Sequence, residues 1–391
     1  MASCWDTIRE LGGRDHNEHL ASARAEGKRV IGYFCSYVPE EIIHAAGMVP
    51  YRMRAVGSVG THRGDEYFSG LNCSFVRHCF DKALCGDFEF LDGVVFSNGC
   101  DHTRRTYDNW RHAELSPDFL HMFVIPHVLG ESAVARLAVH MERLKSAIEE
   151  HFSCRISAED LGASIRLYNR KRELLQEISD SRLSKEVPIK GSEMLSLVLA
   201  VTALPVERAI ELLEEVKEAI RGRSTANEDD CRIFMLSGAL EEREHLELIE
   251  DCGASIVGDS FCFGTRHYDG LVDESGECIP ALAKRYLEHL SCPRMMNDFR
   301  RRLSYARAAI ERLSVDASII EKLKFCDLWG GEAFIFKREF KKHGLLLLAL
   351  ERELYGGGQG QIRTRVQALL EQVRARRENL ENECDSSEGA S

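Results

Sequence analysis

The cysteines of this chain are the residues whose type and position best predict chemistry, because a thiolate can bind metal, hold an iron-sulfur cluster or act as a nucleophile. There are 14, and Cys35, Cys100, Cys262 and Cys326 each closely follow an apolar run that predicts a buried strand. In open parallel sheets, ligands bind beyond the carboxyl ends of the strands, where loops and helix N-termini converge. We therefore predict that these four thiols lie at ligand-binding sheet edges.

Three further cysteines, Cys73, Cys79 and Cys85, lie together in the segment NCSFVRHCFDKALCGD. Their spacing matches neither a zinc knuckle nor the C-x2-C runs of ferredoxins, so this segment alone is not a site. A cluster would have to be assembled from distant loops, and structural zinc, which uses ligands at short local spacing, is disfavoured. The remaining cysteines in helical or strand-start contexts are interpreted as core residues: Cys154, Cys231, Cys252 and Cys278.

Polar side chains accompany the cysteines at the predicted strand ends. They are Ser36, Asp101, His102, Arg266, His267 and Asp327. Carboxylates and imidazoles in such places either support metal ligands and donate protons, or cap the helices that follow. For Asp101 and Asp327 both interpretations stay open, since Asp is a preferred N-cap residue.

Seven short apolar runs alternate with helical patterns, which predicts βαβ units and parallel sheets. The predicted strands are 29–34, 91–97, 121–126, 231–238, 254–260, 316–325 and 344–351. Because a wholly helical stretch separates the first three from the last four, we predict an α/β fold with two parallel-sheet domains. The predicted divisions are an N-terminal helical segment (1–26), a first α/β domain (27–130), a helical connector (131–227), a second α/β domain (228–380) and a disordered tail (381–391).

Composition and charge exclude several classes of protein. The formal net charge of −12 argues against nucleic-acid binding, which needs a basic face to neutralise phosphates. The N-terminal residues lack the pattern of a signal peptide, and no apolar run is long enough to span a bilayer, so we expect a cytoplasmic protein with no membrane partner. In that reducing compartment, this many thiols are not expected to form a disulfide framework.

Several segments, in order along nearly the whole chain, resemble the benzoyl-CoA reductase and 2-hydroxyacyl-CoA dehydratase family. They are YFCSYVPEEIIHAAGMVPYRM, the Cys73 segment, LDGVVFSNGCDHTRR, MLSGAL, GDSFCFGTRHY, LSCPR, LKFCDLWG and GQIRTRVQALLE. The resemblance implies two Rossmann-like domains with one 4Fe-4S cluster per chain in the cleft between them. It carries the cluster ligands onto Cys73, Cys100 and Cys326, and a catalytic serine near the substrate onto Ser36, for which a helix N-cap is the alternative.

The same resemblance implies an enzyme subunit that receives electrons from a separate ATP-hydrolysing iron-sulfur activator. In the dehydratases of the family, one electron converts an (R)-2-hydroxyacyl-CoA into a ketyl radical, which loses hydroxide to give a 2-enoyl-CoA. The alternatives are a benzoyl-CoA reductase-type subunit, a double-cubane-cluster reductase that uses Cys79, Cys85, Cys262 and Cys292 as well, and a non-catalytic electron-relay subunit. The implied partner is a related second subunit in a heterodimer, or a second copy in a homodimer.

The glycine-rich stretch from Gly356 to Arg365 is the best candidate in the sequence for a helix N-terminus that faces an anionic group of acyl-CoA. The alternative is a glycine-rich turn with a surface arginine face.

Overall fold

Two four-stranded parallel sheets form the framework of the chain in the computed structural model, which describes residues 3–227 and 229–388. The strands of the first sheet are β1 Val30–Tyr33, β2 Val49–Arg52, β3 Gly93–Ser97 and β4 Phe119–Phe123. Those of the second are β5 Cys231–Leu236, β6 Ala254–Asp259, β7 Ala317–Leu323 and β8 Leu347–Arg352. The strand orders, β2-β1-β3-β4 and β6-β5-β7-β8, are the same when each sheet is counted from its own first strand. The predicted α/β class with two parallel sheets is confirmed.

Helices cover both faces of the sheets, which is why the central strands are apolar without alternation. Every residue of the central strands β1 and β3 is buried. Of the edge strands, β2 and β6 are also fully buried, whereas β4 and β8 are partly exposed. The helices are α1 Cys4–Gly12, α2 Glu18–Ala25, α3 Glu40–Ala45, α4 Ser74–Leu84, α5 Asp101–His112, α6 Glu131–Phe152, α7 Ala158–Asp180, α8 Gly191–Val201, α9 Val206–Ala219, α10 Arg243–Glu250, α11 Thr265–Tyr268, α12 Cys278–Glu288, α13 Phe299–Arg312, α14 Asp327–Lys342 and α15 Gln359–Glu388.

Strand β2 is present in the structure although the sequence analysis did not predict it. It is four residues long and contains Pro50, which cannot donate a hydrogen bond to a sheet. The proline is tolerated because β2 lies at the edge of its sheet and pairs with β1 alone. A short strand that carries a proline gives almost no sequence signal.

The helices that lie between the two sheets in the chain, α6 to α9, pack against both halves of the molecule, the half built on β1–β4 and the half built on β5–β8. All residues of α8 are buried, and this helix contacts α1 on one side and α10 and β6 on the other. Helix α7 contacts α3, and two ion pairs between them are almost fully buried, Lys171 with Glu40 and Arg172 with Glu41. These pairs fix the start of α3, and therefore the loop that carries Cys35 and Ser36.

The last helix, α15, runs to Glu388 and so extends into the segment that was predicted to be a disordered tail. The rest of that segment, residues 389–391, lies outside the described residues. Within the described part of the chain, no helix combines the length and apolar character that crossing a membrane requires.

Candidate functional site

Cys73, Cys100 and Cys326 share one local geometry: each is the N-cap residue of a helix. They directly precede α4, α5 and α14, and each has an extended backbone conformation. A helix N-terminus has unpaired N–H groups and a partial positive charge, both of which stabilise an anion. Three helix N-termini therefore begin at the three thiols that the family resemblance selected.

The three sulfur atoms are close enough to influence one another electrostatically. Burial raises the pKa of the Cys73 thiol well above its ordinary value, and the charges of Cys100 and Cys326 raise it further. Burial likewise raises the pKa of Cys326 to about 12; the backbone N–H of Trp329 opposes this rise, and Cys100 and Cys262 add to it. Three thiolates would not persist together here without a cation, and a bound metal would provide that compensation.

Hydrogen-bond donors surround the Cys100 sulfur atom. It lies 3.4 Å from the Thr103 backbone nitrogen, which donates to it, and 3.2 Å from the Thr103 hydroxyl. Although burial raises the pKa of Cys100, both of these contacts lower it. Hydrogen bonds to sulfur are among the features that set the reduction potential of an iron-sulfur cluster. The donor set therefore fits a thiolate-held cluster in both chemistry and charge.

Across residues 3–227 and 229–388, no group of three or more His, Cys, Asp or Glu side chains is close enough to hold one metal ion. In a cubane cluster each cysteine binds a different iron, so its ligands stand farther apart than those of one ion.

Asp101 and Asp327 occupy the first turns of α5 and α14 and do not cap them. The N-cap interpretation is wrong by one residue in both places, because the preceding cysteine is the cap. Asp101 is exposed and lies 3.1 Å from the Arg104 guanidinium. Both carboxylates therefore lie on the outer side of the helix starts.

Ser36 lies between the two sheets. Its side chain is buried, and the hydroxyl donates a hydrogen bond to the Cys262 carbonyl oxygen at 3.2 Å. It does not cap α3, whose N-cap residue is Pro39. The preceding Cys35 has a φ of +84°, which is rare for a residue other than glycine and turns the chain sharply after β1. This turn brings Ser36 to the opposite half of the molecule.

Arg266 connects two more thiols beside this site, a role that sequence position alone did not indicate. Its guanidinium is almost fully buried and donates a hydrogen bond to the Cys262 sulfur at 3.0 Å. Burial raises the pKa of Cys292 to about 12, with Arg266 opposing the rise and Cys262 adding to it. The arginine also lies over the ring of Trp329, 5.4 Å from its centroid. Its neighbour His267 faces Glu40 instead, at 3.4 Å, within the buried ion-pair group.

The other cysteines are dispersed. Cys79 is fully buried in the apolar core around Phe80 and Phe96, whereas Cys85 is exposed. The four that were interpreted as core residues are buried or partly buried: Cys154, Cys231, Cys252 and Cys278.

A depression of about 450 Å³ opens beside Cys326 and gives access to it from the surface. Its lining includes Lys322, Lys324, Gly330 and Glu351, the last of which pairs with Lys322.

The glycine-rich stretch from Gly356 forms the turn before α15, with Gly358 at a φ of +100°. Arg363 is exposed, and Arg365 donates to the Ala349 carbonyl oxygen at 2.7 Å. This placement matches a turn with a surface arginine face.

Comparison with known proteins gives a consistent result over most of the chain. The family model described as 2-hydroxyglutaryl-CoA dehydratase, D-component, matches residues 35–373. A benzoyl-CoA reductase polypeptide of Thauera aromatica, one of the subunits of that enzyme, is 25% identical over 77% of this chain and 79% of its own. Putative dehydratase subunit YjiM of Escherichia coli K12 is 26% identical, over 90% and 93% of the two chains. Lactoyl-CoA dehydratase subunit beta of Anaerotignum propionicum is 23% identical, over 89% and 92%. The predicted resemblance and the predicted enzyme class are confirmed.

Proposed function

The chain belongs to the 2-hydroxyglutaryl-CoA dehydratase D-component family, and from this premise we propose that it is the iron-sulfur subunit of an (R)-2-hydroxyacyl-CoA dehydratase. The observation that carries the proposal is that three cysteines, one buried and two partly buried, are the N-cap residues of three helices, α4, α5 and α14. In this proposal Cys73, Cys100 and Cys326 hold one 4Fe-4S cluster per chain. Three cysteine ligands would leave one iron of such a cluster without a cysteine, and that position could take an exchangeable ligand, as in catalytic metal sites generally.

When bound, the cluster would supply a single low-potential electron to the thioester of the substrate. The chain's own residues then have three tasks. The helix N-termini and the Thr103 donors stabilise negative charge at the sulfur atoms. Ser36 provides a hydroxyl between the two halves, and it would donate to a thioester carbonyl by turning its single O–H from the Cys262 carbonyl to the substrate. The buried residues beside Ser36, which include Ser260 and Arg266, would exclude water from that side of the reacting groups.

A single cluster per chain is favoured over a double cubane by the positions of the additional thiols. Cys79 is enclosed by apolar side chains, and Cys85 faces solvent at the end of α4. Cys262 and Cys292 are both close to Arg266, whose positive charge can stabilise a thiolate without iron. The proposal therefore uses three cysteines as ligands and leaves these four out.

The proposed partners follow from the same family. The relatives described above are all named as subunits of larger enzymes, so we propose that this chain pairs with a related second subunit, with a homodimer as the alternative. The proposed electron donor is a separate ATP-hydrolysing iron-sulfur activator. The depression beside Cys326 offers a route from the surface for acyl-CoA or an electron donor.

A benzoyl-CoA reductase-type reaction is the second candidate, because one relative is named as part of that enzyme. A relay subunit, with a cluster but no substrate chemistry, is the third. The three are separated by adding acyl-CoA to the reduced protein. A catalytic subunit should show a changed EPR spectrum, since its open iron position is accessible, and a relay should show none. Formation of enoyl-CoA or of a reduced ring then separates the two catalytic candidates.

The ligand assignment is tested by five alanine variants that are purified and reconstituted without oxygen. Cys73→Ala, Cys100→Ala and Cys326→Ala should each lose the cluster. Cys154→Ala and Cys278→Ala should keep it, because these two thiols are half-buried against the core near α6 and α12. Equal iron content in all five variants would refute the assignment.

A further inference from the structure

The imidazole of His102 contacts two other segments of the chain, and each of them carries one of the other proposed cluster ligands, Cys73 or Cys326. His102 follows Cys100 by two residues in the first turn of α5. Its Nδ1 lies 3.0 Å from the Asn72 side-chain oxygen, and its Nε2 lies 2.9 Å from the Phe325 carbonyl oxygen. Asn72 directly precedes Cys73, and Phe325 directly precedes Cys326. Both partners are acceptor oxygens and a neutral imidazole has a single N–H, so the two contacts are hydrogen bonds at the same time only when both ring nitrogens carry a proton. In either state one side chain contacts both of the other cysteine-bearing segments.

Of the two segments that His102 contacts, the turn at Phe325 has the less favourable backbone conformation. Phe325 has a φ of +61°, a conformation that costs a residue with a bulky side chain about 1–3 kcal/mol and persists where surrounding contacts enforce it. Its own side chain does not provide those contacts, because 41% of its surface is exposed. The hydrogen bond from His102 to the Phe325 carbonyl does constrain this turn.

The Asn72 end is already rigid. Asn72 is buried, and its amide nitrogen donates to the carbonyl oxygen of Ser69 at 3.1 Å and to the Ser69 hydroxyl at 3.2 Å. His102 is thus anchored on the first half of the molecule and holds a strained turn of the second half. The contacts of His102 therefore fix the position of Cys326 relative to Cys73 and Cys100.

The two halves do not depend on His102 for their contact. His78 Nε2 lies 3.1 Å from the Leu354 carbonyl oxygen, and the Ser74 hydroxyl accepts a hydrogen bond from the Leu354 nitrogen at 2.8 Å. The Ala55 nitrogen also donates to the Glu241 carboxylate at 2.9 Å. Loss of the His102 contacts should therefore release the Phe325 turn and leave the two halves docked.

We propose that His102 is a positioning residue that holds Cys326 in register with Cys73 and Cys100, so that cluster retention depends on it more than folding does. This inference rests on the proposed cluster, and its test includes a measurement on protein without iron. A residue with a general structural role would affect the stability of the whole protein. Loss of His102 should instead affect only the turn before Cys326.

The principal variant is His102→Ala, and the matched control is His112→Ala, an exposed histidine at the other end of the same helix. In cluster-loaded protein, we expect iron to pass to a chelator about tenfold faster from His102→Ala, the effect expected of one or two lost hydrogen bonds. His102→Gln should recover part of this loss, because its amide can still donate to the Phe325 carbonyl. The melting temperature of the cluster-free protein should be the same in His102→Ala and His112→Ala.

The measurement without iron is the alkylation rate of Cys326 in cluster-free protein, relative to the exposed Cys85 in the same sample. His102→Ala should increase this ratio, because the turn before Cys326 is no longer held. Unchanged iron release together with an unchanged ratio would overturn the proposal, as would a melting temperature that falls in His102→Ala but not in the control. If the wild-type protein holds no iron, the proposed function fails, and the alkylation ratio alone still decides whether His102 fixes Cys326.

Discussion

The hydroxyl of Ser36 donates a hydrogen bond to the carbonyl oxygen of Cys262 at 3.2 Å, and this contact joins the loop after β1 to the loop after β6. These loops leave the carboxyl ends of strands in two different sheets. Sites in parallel sheets form at such ends, and here two of them meet. Ser36 is therefore at the boundary between the two halves, beside the cysteines.

Ser36→Ala should keep the cluster and lose activity. We expect iron content equal to that of the wild type and turnover lower by about a hundredfold, the effect of removing one hydrogen-bond donor from a transition state. Iron assay and turnover are measured on the same preparation, with the exposed Ser275→Ala as a control. A variant that loses iron along with activity would assign Ser36 a structural role.

Gly238→Ala should disturb the Cys326 turn through Trp329. A Cβ at Gly238 would lie 2.8 Å from two atoms of the Trp329 indole, a rigid ring that has to move as a unit. Because Trp329 is in the first turn of α14, its displacement should shift Cys326 and lower the iron content per chain. Gly331→Ala in the same helix is the control, since a Cβ there meets open space among the described residues. Equal iron content in the two variants would contradict this prediction.

Glu241 should make the protein less stable as the pH rises towards neutrality. Burial is the main reason that its pKa is raised from 4.5 to about 7. Between these values the folded protein keeps a proton that the unfolded chain has lost, so the Glu241 contribution to the free energy of unfolding falls as pH increases and levels off above pH 7.

Glu241→Gln removes this dependence while it can still accept from the Ala55 nitrogen and the Tyr355 hydroxyl. In urea unfolding of cluster-free protein, we expect the variant to gain about 2–3 kcal/mol relative to the wild type between pH 5 and pH 8. Parallel stability curves for the two proteins over that range would rule out the raised pKa.

Removing one member of the buried pair of Arg172 and Glu41 should lower the free energy of unfolding strongly, whereas replacing both by apolar residues should lower it little. Both side chains are at most 2% exposed, and Glu41 also accepts from the Tyr286 hydroxyl at 2.7 Å. Arg172→Met leaves an unpaired buried carboxylate and should cost about 3–5 kcal/mol in the free energy of unfolding. The double variant Arg172→Met with Glu41→Met should recover most of that loss.

The control for this pair is Arg208→Met, which breaks a more exposed contact with Glu211 and should change stability by less than about 1 kcal/mol. A double variant as unstable as Arg172→Met alone would contradict the argument from desolvation.

The sequence predicted the parallel sheets and the strand-end cysteines well, because buried parallel strands are continuous apolar runs and the cysteines follow them closely. It missed β2, since an edge strand of four residues with Pro50 has no such pattern. It left Asp101 and Asp327 open as N-caps and did not consider Cys100 and Cys326, which are the caps, because aspartate is a far commoner N-cap than cysteine. The contact of His102 with Phe325 joins loops of different halves, so local patterns alone could not give its geometry. Arg266 lies only four residues after Cys262, but the sequence did not show that its guanidinium turns back to that sulfur.

The central claim is that this chain holds one 4Fe-4S cluster on Cys73, Cys100 and Cys326. The most direct measurement is iron and acid-labile sulfide per chain in anaerobically purified protein, with the EPR spectrum of the dithionite-reduced sample before and after addition of acyl-CoA. We expect about four irons and four sulfides per chain, with a spectrum that changes on addition of acyl-CoA. Protein that contains no iron after anaerobic reconstitution would contradict the claim.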